Sequence, residues 1–147
     1  MKIKQLLLKN YSFRYVNENI TDENFPYVKR EHGDYKIFSF NKYILSEEVI
    51  KEMDKEGYIP CTIHELLEWE EWNGIDFVVA LGSVCELDGY RHVAYLCGIS
   101  DHRGLGMGYL DGDWIGSYQF AGVRKSKLNT NTLETSTLSN LVLWLPL

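Results

Sequence analysis

Apolar residues open the chain at Ile3, Leu6 and Leu8, then alternate at Tyr11, Phe13 and Tyr15. A period of two predicts a strand or strand pair over residues 1–16. From Val16 to Asp34 the chain is polar and carries Pro26 and Gly33, the composition of a loop. Alternation returns over Tyr35 to Ile44 and predicts a strand. Ser46, followed by Glu47 and Glu48, predicts a helix start, because a side-chain oxygen caps orphan amides and carboxylates suit the positive end of the helix dipole. Gly57 supplies the stop.

A second helix is predicted at Thr62, where Thr62 and Glu65 have capping-box spacing and Ile63, Leu66 and Leu67 form one apolar face ahead of Asn73 and Gly74. Beyond Gly74 the pattern turns to strands at Phe77 to Val84, Arg91 to Leu96, Arg103 to Leu110 and Ser117 to Arg124. Residues 125–140, rich in Asn, Thr and Ser, read as a surface loop, and the closing LVLWLPL as a strand returning to the core. Helices first and sheet later is an α+β layout, expected here as two short helices on a twisted antiparallel sheet. A length of 147 residues fits one domain, which can bury roughly two-thirds of its unfolded surface without disulfides or metal.

Composition narrows the partners. The net charge of −6 disfavours a phosphate-backbone ligand, and between residues 56 and 124 the only Lys or Arg side chains are Arg91, Arg103 and Arg124. Nucleic acid is therefore excluded as the expected partner. Cys61, Cys85 and Cys97 are odd in number and lack CxxC spacing, so neither a full disulfide framework nor a zinc ribbon is signalled, though one bridge plus a free thiol stays open. The start MKIKQLLLKNY has no apolar run of signal-peptide length, and nothing later spans a bilayer. Reduced thiols in the cytoplasm are the default expectation, unless export follows a non-classical route.

Residues 103–110 alternate strictly, with Leu105, Met107 and Tyr109 on one face and Gly104, Gly106 and Gly108 on the other. A glycine inside a strand costs about 0.5–1 kcal/mol relative to Ala, so three on one face call for an account. A curved sheet covered by backbone is one; a face kept open for a ligand is the other. Just before, CGISDH (Cys97 to His102) has no periodicity and no shared property. All of its residue types, and Gly, arise from an asparagine codon when only the adenines change, whereas Lys, Glu, Gln, Met and Trp do not.

Two stretches carry a resemblance. GYIPCTIHELLEW (Gly57 to Trp69) with DFVVALGSV, and YRHVAYLCGISDHRGLGMGYLDGDWIGSYQFAGVRK (Tyr90 to Lys125), look like the variable proteins of diversity-generating retroelements. In these, adenine-directed mutagenic copying rewrites chosen codons of a C-type-lectin-like domain. The resemblance covers roughly residues 57–125, with the variable region at about 85–125. It implies diversified, ligand-binding positions at His92, Cys97, Gly98, Ile99, Ser100, Asp101, His102, Gly104, Gly106, Gly108, Gly112, Asp113, Ile115, Gly116 and Ser117. It implies a fixed scaffold of Val93, Tyr95, Leu105, Met107, Tyr109, Trp114, Phe120, Ala121 and Val123. The function implied is display of interchangeable side chains to a protein or surface-glycan ligand, without catalysis, cofactor or metal. The chain runs 22 residues past the variable region, where many family members end, so LVLWLPL could cover part of the face.

Other chemistries are weaker. HELLE (His64 to Glu68) lacks the second histidine of a zincin helix, which leaves His64 as a helix-surface residue and Glu65, Glu68, Glu70 and Glu71 as a solvated face. Asp101, Asp111 and Asp113 lack the oxygen spacing of a calcium loop, and Asp-Gly-Asp reads as a turn. GLGMG matches no phosphate-loop spacing, and no serine sits in a nucleophile elbow. The alternative to display is a non-enzymatic intracellular regulator or inhibitor of mobile-element origin, acting through a fixed acidic surface built from residues 17–56.

Overall fold

Residues Ile3–Asn10 form a helix, α1, where alternation predicts strands. Ile3 and Leu6 are both fully buried, with Leu7 packed beside them, and this spacing of three and four is helical. Asp22 Oδ1 accepts from the Ile3 N–H at 2.9 Å, satisfying one amide of the first turn. Only Tyr15–Val16 remains extended, as the short strand β1. This computed structural model describes residues 2–10, 12–99 and 102–126, with backbone alone at 8–10 and 99. The predicted surface loop and closing strand beyond residue 126 lie outside the described residues.

The other elements follow the sequence more closely. Strand β2 is His32–Ser39, earlier than predicted, and β3 is Ile44–Leu45. Helix α2 spans Ser46–Lys55 and ends before Gly57, whose φ of +84° is the left-handed conformation a glycine stop supplies. Its first turn differs from expectation: Glu48 Oε1 accepts from the Leu45 N–H at 3.2 Å, while Ser46 turns its hydroxyl elsewhere. Strand β4 is Tyr58–Pro60 and helix α3 is Ile63–Glu68. The capping box of α3 is formed in both directions: Thr62 Oγ1 accepts from the Glu65 N–H and Glu65 Oε1 from the Thr62 N–H, at 3.1 and 2.9 Å.

Glu65 and His64 are corrections to the solvated-face reading, since both are buried. The Glu65 carboxylate takes Arg30 in a two-pronged ion pair, at 2.6 and 2.8 Å, and the same guanidinium donates to the Pro60 carbonyl. The chain between β1 and β2 is thereby tied to α3.

The strands β5 (Phe77–Leu87), β6 (Tyr90–Ile99), β7 (His102–Tyr109), β8 (Asp113–Trp114) and β9 (Tyr118–Lys125) complete the fold. Asp88 and Gly89, both at positive φ, turn β5 into β6 as Asp-Gly hairpins do. The main sheet runs β1-β7-β6-β5-β9-β2, with β4 also on β9, while β3 and β8 form a separate ribbon. It is a mixed sheet and not the antiparallel one expected, because β1 on β7 and β5 on β9 are parallel. There are three short helices among the described residues, not two.

Strand alternation sorts the core into two layers. One sheet face carries Val78, Ala80, Ala94, Leu96, Leu105 and Val123 against α1 and α3. The other carries Val79, Leu81, Val93 and Phe120 against Val49 and Met53 of α2 and Trp114 of β8. Burial of such side chains stabilises by roughly 1.5–3 kcal/mol each, so the central strands are held from both sides. Among the described residues no helix is long and apolar enough to cross a membrane.

Candidate functional site

The glycine row of β7 is neither open nor covered by backbone; aromatic rings cover it. In the β6–β7 register Gly104 faces Cys97, Gly106 faces Tyr95 and Gly108 faces Val93. Directly opposed residues share a sheet face, which here is the α2 side. A side chain on Gly106 would meet the Tyr95 ring at 2.9 Å, and one on Gly108 would meet the Trp114 indole at 2.8 Å. At Gly104 the nearest atom is Cys97 Sγ at 3.0 Å, then the Tyr15 ring at 3.6 Å. The missing side chains thus make room for large ones arriving from neighbouring strands.

Those rings form one bed. Tyr95 stacks with Phe77 at 5.9 Å between centroids, and Tyr118 meets Tyr95, Phe77 and Trp114 edge-on at 5.6, 5.2 and 5.1 Å. Edge-to-face geometry is favourable because the positive ring edge meets a negative face. Trp114 is anchored beneath: its Nε1 donates to Ser46 Oγ at 2.8 Å, and that hydroxyl donates to the Leu110 carbonyl at 2.7 Å. This is where the hydroxyl expected to cap α2 is used. Tyr95, Tyr118 and Phe77 are half-buried, so the bed has a solvent side. Burial, with Tyr118 and Cys97 nearby, pushes the Tyr95 hydroxyl up to about 12, which keeps it protonated and able to donate.

At the β1 edge the bed opens into a cavity of about 280 Å³ lined by Arg14, Tyr15, Cys97, His102, Arg103 and Gly104. Arg14 Nη1 stands 2.8 Å from Nε2 and 3.0 Å from Nδ1 of His102. Burial raises the Cys97 thiol above its ordinary value, which disfavours the thiolate a nucleophile would need. All three cysteines are free and buried.

The structure therefore divides the residues that the resemblance implies. Cys97, His102, Gly104, Gly106 and Gly108 share the bed face, and Ile115, Gly116 and Ser117 form the loop between Trp114 and Tyr118 at its margin. Gly98 faces the other way, where a side chain would meet the Gly74 carbonyl at 2.3 Å. His92 also lies on the α1 side of the sheet, its ring 4.9 Å from that of Tyr109. Gly112 and Asp113 are at the far end, beside Tyr109 and opposite Leu45. Ser100 and Asp101 lie outside the described residues, as does the side chain of Ile99.

Buriedness also differs from expectation. Tyr109, expected in the fixed scaffold on one face with Leu105 and Met107, is 59% exposed. Cys97 is buried, and Gly116 abuts the Asn41–Lys42 backbone at 2.8 Å, so neither is an open position. The scaffold residues Val93, Leu105, Trp114, Phe120, Ala121 and Val123 are all buried.

Sequence reasoning missed Tyr15, Arg14, Phe77 and Tyr118 as parts of this site. Tyr15 and Arg14 reach it only because β1 joins β7 in parallel across 88 residues of chain, a pairing with no local signal. At the far end Arg91 pairs with Asp111, beside a cavity of about 200 Å³ that reaches Ser46 and Glu47. In the acidic 17–56 segment Asp34, Glu52, Asp54 and Glu56 are paired with Arg124, Lys55, Lys125 and Lys36, which leaves that surface less charged than its composition.

Comparison with protein-family models, with curated proteins and with solved structures finds no match to this chain in any of the three.

Proposed function

We propose that the chain is a ligand-binding display protein of C-type-lectin-like fold, whose exposed residues are diversified by adenine-directed retroelement mutagenesis. The observation that carries this reading is what each position would meet if it changed. New side chains at Gly104 and Gly106 meet the far ends of the Cys97 and Tyr95 side chains, and at Gly112 only Tyr109 Cβ at 4.0 Å. His102, Asp113, Ile115 and Ser117 are exposed. Between them the strands are pinned by residues such as Leu96 and Leu105, which have no exposed surface. A surface of replaceable side chains on strands buried from both sides loses little entropy on binding and keeps its backbone when its residues change.

The ligand is a protein or a surface glycan, both of which use partly exposed tyrosine rings. Binding, not catalysis, suits a face whose thiol is held protonated and whose imidazole rests on a guanidinium. The refined variable set is His92, Ile99 to His102, Gly112, Asp113, Ile115 and Ser117, with Gly104 and Gly106 as buried positions where a new side chain must displace Cys97 or Tyr95; Ile99 to Asp101 stay in it from the resemblance alone. Gly98 and Gly116 face backbone, and Gly108 faces the anchored Trp114, so these three are restricted.

Sequencing this gene across its source population tests the reading. Changes confined to the adenines of asparagine-type codons at the refined positions are expected. Even scatter along the gene, or an invariant segment from Cys97 to His102, would overturn it.

A further inference from the structure

We infer that the cavity beside β1 is a carboxylate subsite, taking an acid group on Arg14 and His102 and the small apolar body that carries it against Tyr15 and Gly104. The inference rests on the face being a ligand-binding one and names the chemistry of one part of it.

Among the described residues the Arg14 guanidinium meets an imidazole and no carboxylate. A neutral imidazole has one acceptor nitrogen, so only one of the two short contacts from Nη1 to His102 is a hydrogen bond. The guanidinium has five donors in a planar fork, and among the described residues no carboxylate pairs with Arg14. A ligand carboxylate would fill that fork with two parallel, charge-assisted bonds, and a ring N–H of His102 would add a third donor.

The surroundings select a carboxylate over a phosphate. A phosphate dianion is usually met by several converging backbone amides, as at a nest or a helix start. Here those amides are used: the Arg14 N–H donates to the Arg103 carbonyl at 2.8 Å and the Asn17 N–H to the Leu105 carbonyl at 2.9 Å. One fork and one imidazole remain. The rest of the lining is the Tyr15 ring, 56% exposed, the protonated Cys97 thiol, Gly104 without a side chain, and Arg103, whose guanidinium lies 5.9 Å over the Trp72 ring on the opposite sheet face. At about 280 Å³ the space matches a ring or one amino-acid residue. Two sources fit this chemistry, the C-terminal residue of a partner protein and a free aromatic or branched carboxylic acid.

The full chain is titrated with benzoate, benzamide, inorganic phosphate, and a hexapeptide ending in phenylalanine as its free acid and as its amide. The Gly104 backbone amide resonance reports binding. Benzoate and the free-acid peptide are expected to bind, each roughly tenfold or more tighter than its amide counterpart. Arg14→Gln removes that difference, and Arg14→Lys, which keeps the charge but not the fork, restores part of it. The tighter of benzoate and the acid peptide identifies the source, and either order supports the inference. Equal binding of acids and amides, phosphate binding tighter than benzoate, or an affinity indifferent to Arg14→Gln in a protein with an unchanged amide spectrum would overturn it. The two readings fail separately. Benzoate held through Arg14 in a gene without adenine-confined variation keeps the subsite and removes display, and the reverse pattern removes only the subsite.

Discussion

The ring of Tyr95 occupies the space a side chain on Gly106 would fill, 2.9 Å from where its Cβ would stand. Gly98, one strand over and on the opposite face, would instead drive a Cβ to 2.3 Å from the Gly74 carbonyl oxygen. The two glycines differ in what must yield: the outer end of a half-buried ring, or the backbone. Gly106→Ala is expected to cost about 1 kcal/mol or less as Tyr95 swings outward, and Gly98→Ala about 3 kcal/mol or more. Urea unfolding of both variants measures this, and equal losses would show that the ring is as immovable as the backbone.

Ser46 and Trp114 hold the bed from below. The Ser46 hydroxyl accepts from the indole N–H and donates to the Leu110 carbonyl, and the residue is buried. Ser46→Ala strands both partners and is expected to cost about 1–3 kcal/mol, the range for unsatisfied buried polar groups. It should also loosen Trp114, seen as a red-shifted or quenched fluorescence contribution. A loss below a few tenths of a kcal/mol would mean that the hydroxyl serves only the helix start.

Arg30 anchors the other side of the sheet, at α3. Its guanidinium holds the Glu65 carboxylate, which also accepts from the Thr62 N–H. Arg30→Met leaves the buried carboxylate with only the His32 Nε2 at 3.8 Å in place of a two-pronged guanidinium, at a cost of about 3 kcal/mol. Adding Glu65→Gln to Arg30→Met should recover part of the loss, because the neutral amide no longer needs the cation. A double variant no more stable than Arg30→Met would argue against the pair as the source of the cost.

What was legible in the chain was local. Thr62 and Glu65 announced α3, Gly57 the end of α2, and Leu105 one face of a strand, because capping chemistry and alternation act within a few residues. Alternation failed at Ile3 to Asn10, where burial at Ile3 and Leu6 favours a helix on α3. It failed differently at Gly104, Gly106 and Gly108. The spacing marked the row as unusual, but what covers it comes from Tyr95 and Trp114, set by strand register and the β3–β8 ribbon. Arg14 and Tyr15 had no signal, since parallel pairing of β1 with β7 depends on the assembled sheet.

His64 makes the fold sensitive to acid. Its ring is 2% exposed, meets Tyr27 edge-on at 5.1 Å, and its Nε2 has no hydrogen-bond partner among the described residues. Burial disfavours the imidazolium and lowers the pKa from 6.5, with Asp22 and Glu65 acting in the opposite sense. The unfolded chain therefore binds a proton that the folded chain resists. Stability from this group is present above pH 6.5 and falls as pH drops below it, by up to about 1.4 kcal/mol per pH unit until the folded pKa is reached. Denaturant midpoints between pH 7.5 and 5 should fall in the native protein and fall less in His64→Phe, which keeps the edge-on contact without a titrating group. An unchanged slope in that variant would place the acid sensitivity on other groups.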